Sequence, residues 1–187
     1  MTQLLLDIAP KPLPTLDNFI VGANAELIAT LRRGCDRLYL WGPAGSGKSH
    51  LLSAVAAESL HVFDDVHRLP EAVQEDLFRL FNRGARILLA GDVPPSRLAL
   101  REDLRTRIGQ MLVFEIRALS DEEKSAALRR HALQRGMKID DALIRYLLSH
   151  VRRDLPTLMA VLDSLDRASL EQQRPITLPL LKSLVPS

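Results

Sequence analysis

Gly42-Pro43-Ala44-Gly45-Ser46-Gly47-Lys48-Ser49 meets the pattern G-x-x-x-x-G-K-[ST] without a mismatch. Glycines let backbone N–H groups converge on a phosphate, and the start of the following helix adds its partial positive charge. Lys48 is placed to reach the β/γ oxygens of a nucleotide, and the Ser49 hydroxyl to ligate Mg²⁺. The flanks agree: Arg37-Leu38-Tyr39-Leu40-Trp41 reads as a buried strand, and Ser49 to Glu58 as a helix rich in Ala and Leu. The expected nucleotide-binding set is Gly42, Pro43, Ala44, Gly45, Ser46, Gly47, Lys48, Ser49 and the adjoining His50. A glycine-rich turn with a stray lysine is the alternative.

Working outward, apolar strands alternate with amphipathic helices over residues 19–118. Asn24 opens a short helix through Leu31, and Leu60-His61-Val62-Phe63 is a second strand. Pro70 to Phe81 has helical periodicity, with the proline in its first turn. Arg86 to Ala90 and Leu112 to Ile116 are further strands. This rhythm predicts an α/β fold with a parallel sheet covered on both faces.

From residue 119 to 187 the pattern is helical only. Ser120 with Glu123 forms a capping box, and Gly136 ends that helix. Asp140 opens a second helix through Ser149, Asp154 caps a third, and Pro179 to Leu184 forms a last short one. In the third, Leu155, Leu158, Met159, Leu162 and Leu165 make the apolar stripe. Residues 1–18 form an arm in which Pro10, Pro12 and Pro14 favour extended backbone.

Composition narrows the function classes. The chain has 187 residues, 47% hydrophobic and 26% charged, which is globular rather than disordered. Apolar runs such as Ile87 to Ala90 fall far short of a membrane span, and no basic-then-apolar leader opens the chain, so a cytoplasmic protein without membrane contact is expected. With 25 basic and 23 acidic residues, bulk charge does not imply duplex binding. The single cysteine, Cys35, is expected to be a small core residue beside a strand. The five histidines show no ligand spacing that would suggest a metal centre.

A second acidic centre lies in Val62-Phe63-Asp64-Asp65. A carboxylate leaving the C-terminal end of an apolar strand stands beside the phosphate loop of such a sheet, so Asp64 is expected to hold Mg²⁺. Asp65 is then the residue that positions attacking water. A turn-capping acidic pair is the alternative.

The phosphate loop, Asp64-Asp65, Asp103-Leu104-Arg105-Thr106-Arg107 and Arg153-Asp154-Leu155 occur in the order seen in AAA+ ATPases of the DnaA branch, which the chain resembles. Thr15 to Gly22 resembles the segment that opens the ATPase domain there, with Phe19 near the adenine or acting as a core anchor. The chain ends near Leu184, without room for an origin-binding helix-turn-helix domain, so the likeness is to regulatory members that inactivate DnaA. It implies a P-loop AAA+ base with a small helical lid, ADP or ATP with Mg²⁺ as cofactors, and DnaA as partner. Arg107 matches the arginine finger, or else makes a surface salt bridge. Arg153 matches the sensor 2 arginine, or else belongs to a solvated helix cap. Asp92 stands at the sensor 1 place, or in a plain turn.

Gln3-Leu4-Leu5-Leu6-Asp7-Ile8 resembles the family's peptide for the sliding clamp, the beta subunit of DNA polymerase III. A frayed or edge-strand terminus is the alternative. Contact with DNA is then indirect, through the clamp, and self-association into a homo-oligomer stays open. One departure is visible: Lys48 to Asp64 is sixteen positions, where related ATPases fit another strand and helix. The sheet is therefore expected to lack one outer strand. A self-sufficient ATPase such as a helicase loader is the alternative function.

Overall fold

The computed structural model describes residues 13–56, 60–151 and 154–184. These residues fall into two compact units. The first comprises the described residues through Val21, Ala25–Trp41 and Gly47–Glu115; the second comprises Gly22–Asn24, Gly42–Ser46 and the chain from Ile116 onward.

In the first unit, α1 (Ala25–Arg33) leads to β1 (Arg37–Trp41), α2 (Lys48–Val55) and β2 (Leu60–Phe63). Then come α3 (Glu71–Asn82), β3 (Arg86–Gly91), α4 (Glu102–Gly109) and β4 (Leu112–Glu115). The sheet is all-parallel in the order β2-β3-β1-β4. Leu38 pairs in register with Leu88 on one side and Leu112 on the other. Parallel neighbours require crossovers, which α2, α3 and α4 supply. The middle residues of β1 and β3 are buried throughout, as a sheet covered on both faces demands. Tyr39, Leu77, Phe81, Ile87, Leu89, Leu98, Leu104 and Ile108 form one core. Among the described residues the sheet has four strands, with β2 at an edge, as the short interval before Asp64 leads one to expect.

The second unit packs α5 (Asp121–Gln134), α6 (Asp141–His150), α7 (Leu155–Gln172) and α8 (Leu178–Leu184) around Leu128, Leu143, Leu147, Leu158, Leu162, Leu165 and Leu181. All three caps form. Ser120 Oγ accepts from Glu123 N–H while Glu123 accepts from Ser120 N–H; Asp140 caps α6 and Asp154 caps α7.

Three readings need correction. α2 stops at Val55, because Ala56 has ψ 127°, outside helical space; Glu58, the expected end of this helix, lies outside the described residues. Pro70 caps α3 from outside rather than lying in its first turn. Cys35 is half-buried rather than a core residue, and burial raises its thiol pKa, leaving a weak nucleophile.

Candidate functional site

All four strands run in one direction, so the segments leaving Trp41, Phe63 and Gly91 emerge at one edge of the sheet. That edge is where open α/β sheets place ligands. The loop between β1 and α2 has its own geometry. Ser46 N–H donates to Pro43 O at 3.2 Å, and Leu51 N–H donates to Gly47 O at 3.1 Å. Gly47 has φ +101°, a left-handed conformation, and a Cβ there would lie 2.7 Å from Phe19 Cε2. Both facts require glycine. No side-chain hydrogen bond caps α2 at Gly47, and a helix start of this kind suits an anionic ligand. The Ser46 hydroxyl is sealed from solvent without a hydrogen-bond partner among the described residues. A buried orphan hydroxyl beside a glycine turn fits a phosphate ligand.

Lys48 is buried, 6% exposed, and its ammonium sits 2.9 Å from Asp92 Oδ1. Asp92 is thereby held below the usual carboxylate range, chiefly by that hydrogen bond. Its other oxygen faces His67 Nε2 at 3.5 Å. Ser49 Oγ donates to Asp64 Oδ2 at 2.5 Å, and Asp64 Oδ1 accepts from Asp65 N–H at 2.9 Å. Asp65 has φ 49°, ψ 41°, a left-handed conformation uncommon for a residue other than glycine. It starts the 3₁₀ turn Val66–Arg68, pinned by the fully buried Val66. That turn brings Asp65, His67 and Asp92 within 4.8 Å of one another by their ligand atoms. Burial, then Asp92, drive the Tyr39 hydroxyl pKa far up; it donates to Val93 O at 2.6 Å.

His50 Nε2 stands 3.0 Å from Thr15 O, and its ring lies 5.5 Å from that of Phe19. Arg107 lies on α4 with its guanidinium 4.7 Å from the Phe78 ring centre and forms no ion pair among the described residues. The surface salt-bridge reading of Arg107 is thus replaced by a cation–π contact. In the second unit, the Cβ of Asp154 comes within 3.3 Å of where a Gly45 Cβ would lie. Arg153 and the peptide Gln3 to Ile8 fall outside the described residues.

The structure thus brings Ser49 and Asp64 together, as the sequence led one to expect. Asp92 is more than a turn residue, since it holds Lys48. His67 was missed, because only the turn after Asp65 delivers it to Asp92. An apolar strand followed by Asp-Asp and a histidine two positions on was the available signal.

A profile for the family described as "Hda, lid domain" matches residues 121–185. An uncharacterized protein of Haemophilus influenzae (strain ATCC 51907 / DSM 11121 / KW20 / Rd) is 30% identical over 226 residues, covering 98% of each chain. The chain belongs to the Hda-like, DnaA branch of the AAA+ family. Several solved structures share its fold. Domain III of the Thermotoga maritima replication initiation protein DnaA superposes with a TM-score of 0.73 at 20% identity, covering 94% of this chain and 100% of that one. AMPPCP-bound DnaA from Aquifex aeolicus gives 0.69 at 20% identity, covering 88% and 68%. The Holliday junction branch migration motor RuvB of Thermotoga maritima gives 0.65 at 22% identity, covering 91% and 70%. No helix among the described residues is long and apolar enough to cross a membrane.

Proposed function

We propose that this protein is a regulator of replication initiation that binds adenine nucleotide and the DNA-loaded sliding clamp, and stimulates hydrolysis of ATP held by DnaA. Gly42–Ser49 and the adjacent His50 hold ADP or ATP, and Arg153 takes the sensor 2 role that the family resemblance implies. Ser49 and Asp64 hold Mg²⁺, and Asp65 orients water. The ion would supply charge neutralisation at the phosphates. The observation that carries this part is the Ser49–Asp64 hydrogen bond joining residues fifteen apart at the sheet edge, with Lys48 buried beside it.

Arg107 is the group offered to the partner's nucleotide. A guanidinium supplied in trans stabilises charge that develops during phosphoryl transfer. Its support here is family membership, together with a guanidinium that pairs with no carboxylate among the described residues. Gln3 to Ile8 dock on the clamp, Gln3 bonding at the rim while the leucines fill an apolar groove. DNA is met only through the clamp.

The test is DnaA-ATP hydrolysis with this protein, ADP and clamp loaded on DNA, each omitted in turn. Loss of hydrolysis on any omission supports the reading. Strong DNA-dependent ATP turnover by this chain alone overturns it in favour of a self-sufficient ATPase.

A further inference from the structure

We propose that the free edge of β4 pairs with the same edge of a second copy of this chain, antiparallel about Val113, so that Arg105 of each copy meets Glu115 of the other. The inference is independent of the nucleotide, clamp and Arg107 assignments, and every residue it uses lies in the first unit. β4 ends the sheet: among the described residues it pairs with β1 alone, so its other side offers main-chain N–H and C=O groups to an incoming strand. Edge strands are commonly blunted by lysine or proline, and Leu112-Val113-Phe114 carries neither. Leu112 is instead 50% exposed and Val113 37%, among the few large apolar side chains that the described residues show to solvent. β2, the other edge, keeps Leu60, Val62 and Phe63 half-buried and exposes only His61.

Charge says what covers this edge. Arg105 on α4 and Val113 line one open cavity of about 440 Å³, together with Pro95 and Gly109. Alternation along the strand puts Glu115 on the face of Val113, and Leu112 with Phe114 on the other. Neither Arg105 nor Glu115 forms an ion pair among the described residues. One uncommitted cation and one uncommitted anion, on the same face of the same edge, complement each other across a two-fold axis.

An axis normal to the sheet through Val113 makes the two strands antiparallel, an arrangement that the edge of a parallel sheet accepts. Val113 then faces its own copy, and Leu112 faces Phe114 of the partner subunit on the opposite face. Glu115 passes the valine pair and reaches toward Arg105 of the partner subunit, and the same contact forms a second time by symmetry. Slipping the register by one residue turns Glu115 to the face away from that arginine, so the charges fix the alignment. Arg107 stays clear of the seam. Two residues turn about 200° round a helix, so Arg107 lies on the far side of α4 from Arg105, against Phe78. Strands of four residues make a small contact, which places the pairing among weak, reversible ones.

The test is sedimentation equilibrium of the full chain over roughly 10 µM to 1 mM. Wild type is expected to pass from monomer to dimer and to stop there, because a two-fold contact uses up both edges. Arg105→Glu and Glu115→Arg should each weaken dimerisation about tenfold, by setting like charges against each other. The double variant Arg105→Glu/Glu115→Arg restores the attraction with its sign reversed and should dimerise within a few-fold of wild type. Val113→Lys, which sets two ammonium groups on the axis, should stay monomeric throughout. Thermal melts matching wild type confirm that each variant is folded. A wild type monomeric across the range overturns the proposal, as do single variants that dimerise like wild type or a double variant that fails to recover. Growth beyond two copies overturns it as well, since it would mean a head-to-tail contact between different edges.

Discussion

Ser49 Oγ and Asp64 Oδ2 are 2.5 Å apart, the hydroxyl donating to the carboxylate across the sheet edge. A hydroxyl at the start of α2 and a carboxylate at the end of β2 face the same point, the arrangement from which a hard divalent cation takes oxygen ligands. The expected outcome is that Asp64→Asn and Ser49→Ala each weaken the Mg²⁺-dependent part of nucleotide affinity on the order of 10-fold, leaving Mg²⁺-free binding near wild type. Titration with and without Mg²⁺ checks this. Equal losses in both conditions would assign the pair a purely structural role.

Arg107 is separable from that pair. Its guanidinium stacks on Phe78, 4.7 Å from the ring centre, and not on any group that binds this chain's own nucleotide. Arg107→Ala is therefore expected to keep nucleotide and clamp binding while lowering stimulation of DnaA ATPase on the order of 10³-fold. Arg107→Lys should fail almost as badly, because an ammonium lacks the planar fork. Stimulation that survives Arg107→Ala sinks the assignment.

The helical unit gives a stability prediction. Leu162 is fully buried on α7, facing Leu128, Leu143 and Leu181 across one core. Leu162→Ala removes three heavy atoms and leaves a void, at a cost of about 2–5 kcal/mol. Asp154→Ala removes the acceptor for Thr157 N–H and is expected to cost about 1 kcal/mol. Chemical denaturation of the two variants should preserve that order; a larger loss for Asp154→Ala would mean the residue does more than cap α7.

Much of this was legible in the chain itself, and for a physical reason. β1 and β2 are short stretches, apolar but for Arg37 and His61, and their limits, Arg37–Trp41 and Leu60–Phe63, fall where the composition changes. Ser120, Asp140 and Asp154 announce helix starts because each cap is a local hydrogen bond. α4 was different. Glu102–Gly109 buries only Leu104 and Ile108, too few for a visible apolar stripe, so Arg107 was read within a motif and not on a helix. The Lys48–Asp92–His67 chain was hidden because its members sit on three separate segments that only the parallel sheet aligns. Cys35 misled because its apolar neighbours lie on β1, while the residue itself precedes the strand.

The Lys48–Asp92 pair also predicts a pH dependence of stability. Asp92 has its pKa lowered from 3.8, first by the Lys48 hydrogen bond, against an opposing push from burial. A carboxyl whose folded pKa lies below its unfolded value adds stability that is complete above the unfolded value and is lost as pH falls through the folded one. Asp92→Asn removes the charge and keeps the shape. Wild type should therefore melt higher than Asp92→Asn at neutral pH by a margin that stays constant down to about pH 5, shrinks below about pH 4, and vanishes once Asp92 is protonated in the fold. Because the Asp92 side chain is 37% exposed, added salt should narrow the neutral-pH margin as well. Thermal melts of both proteins across that range decide the matter: a margin that persists unchanged in acid would show that the carboxylate's charge contributes nothing, and that Asp92 holds Lys48 by shape and neutral hydrogen bonding alone.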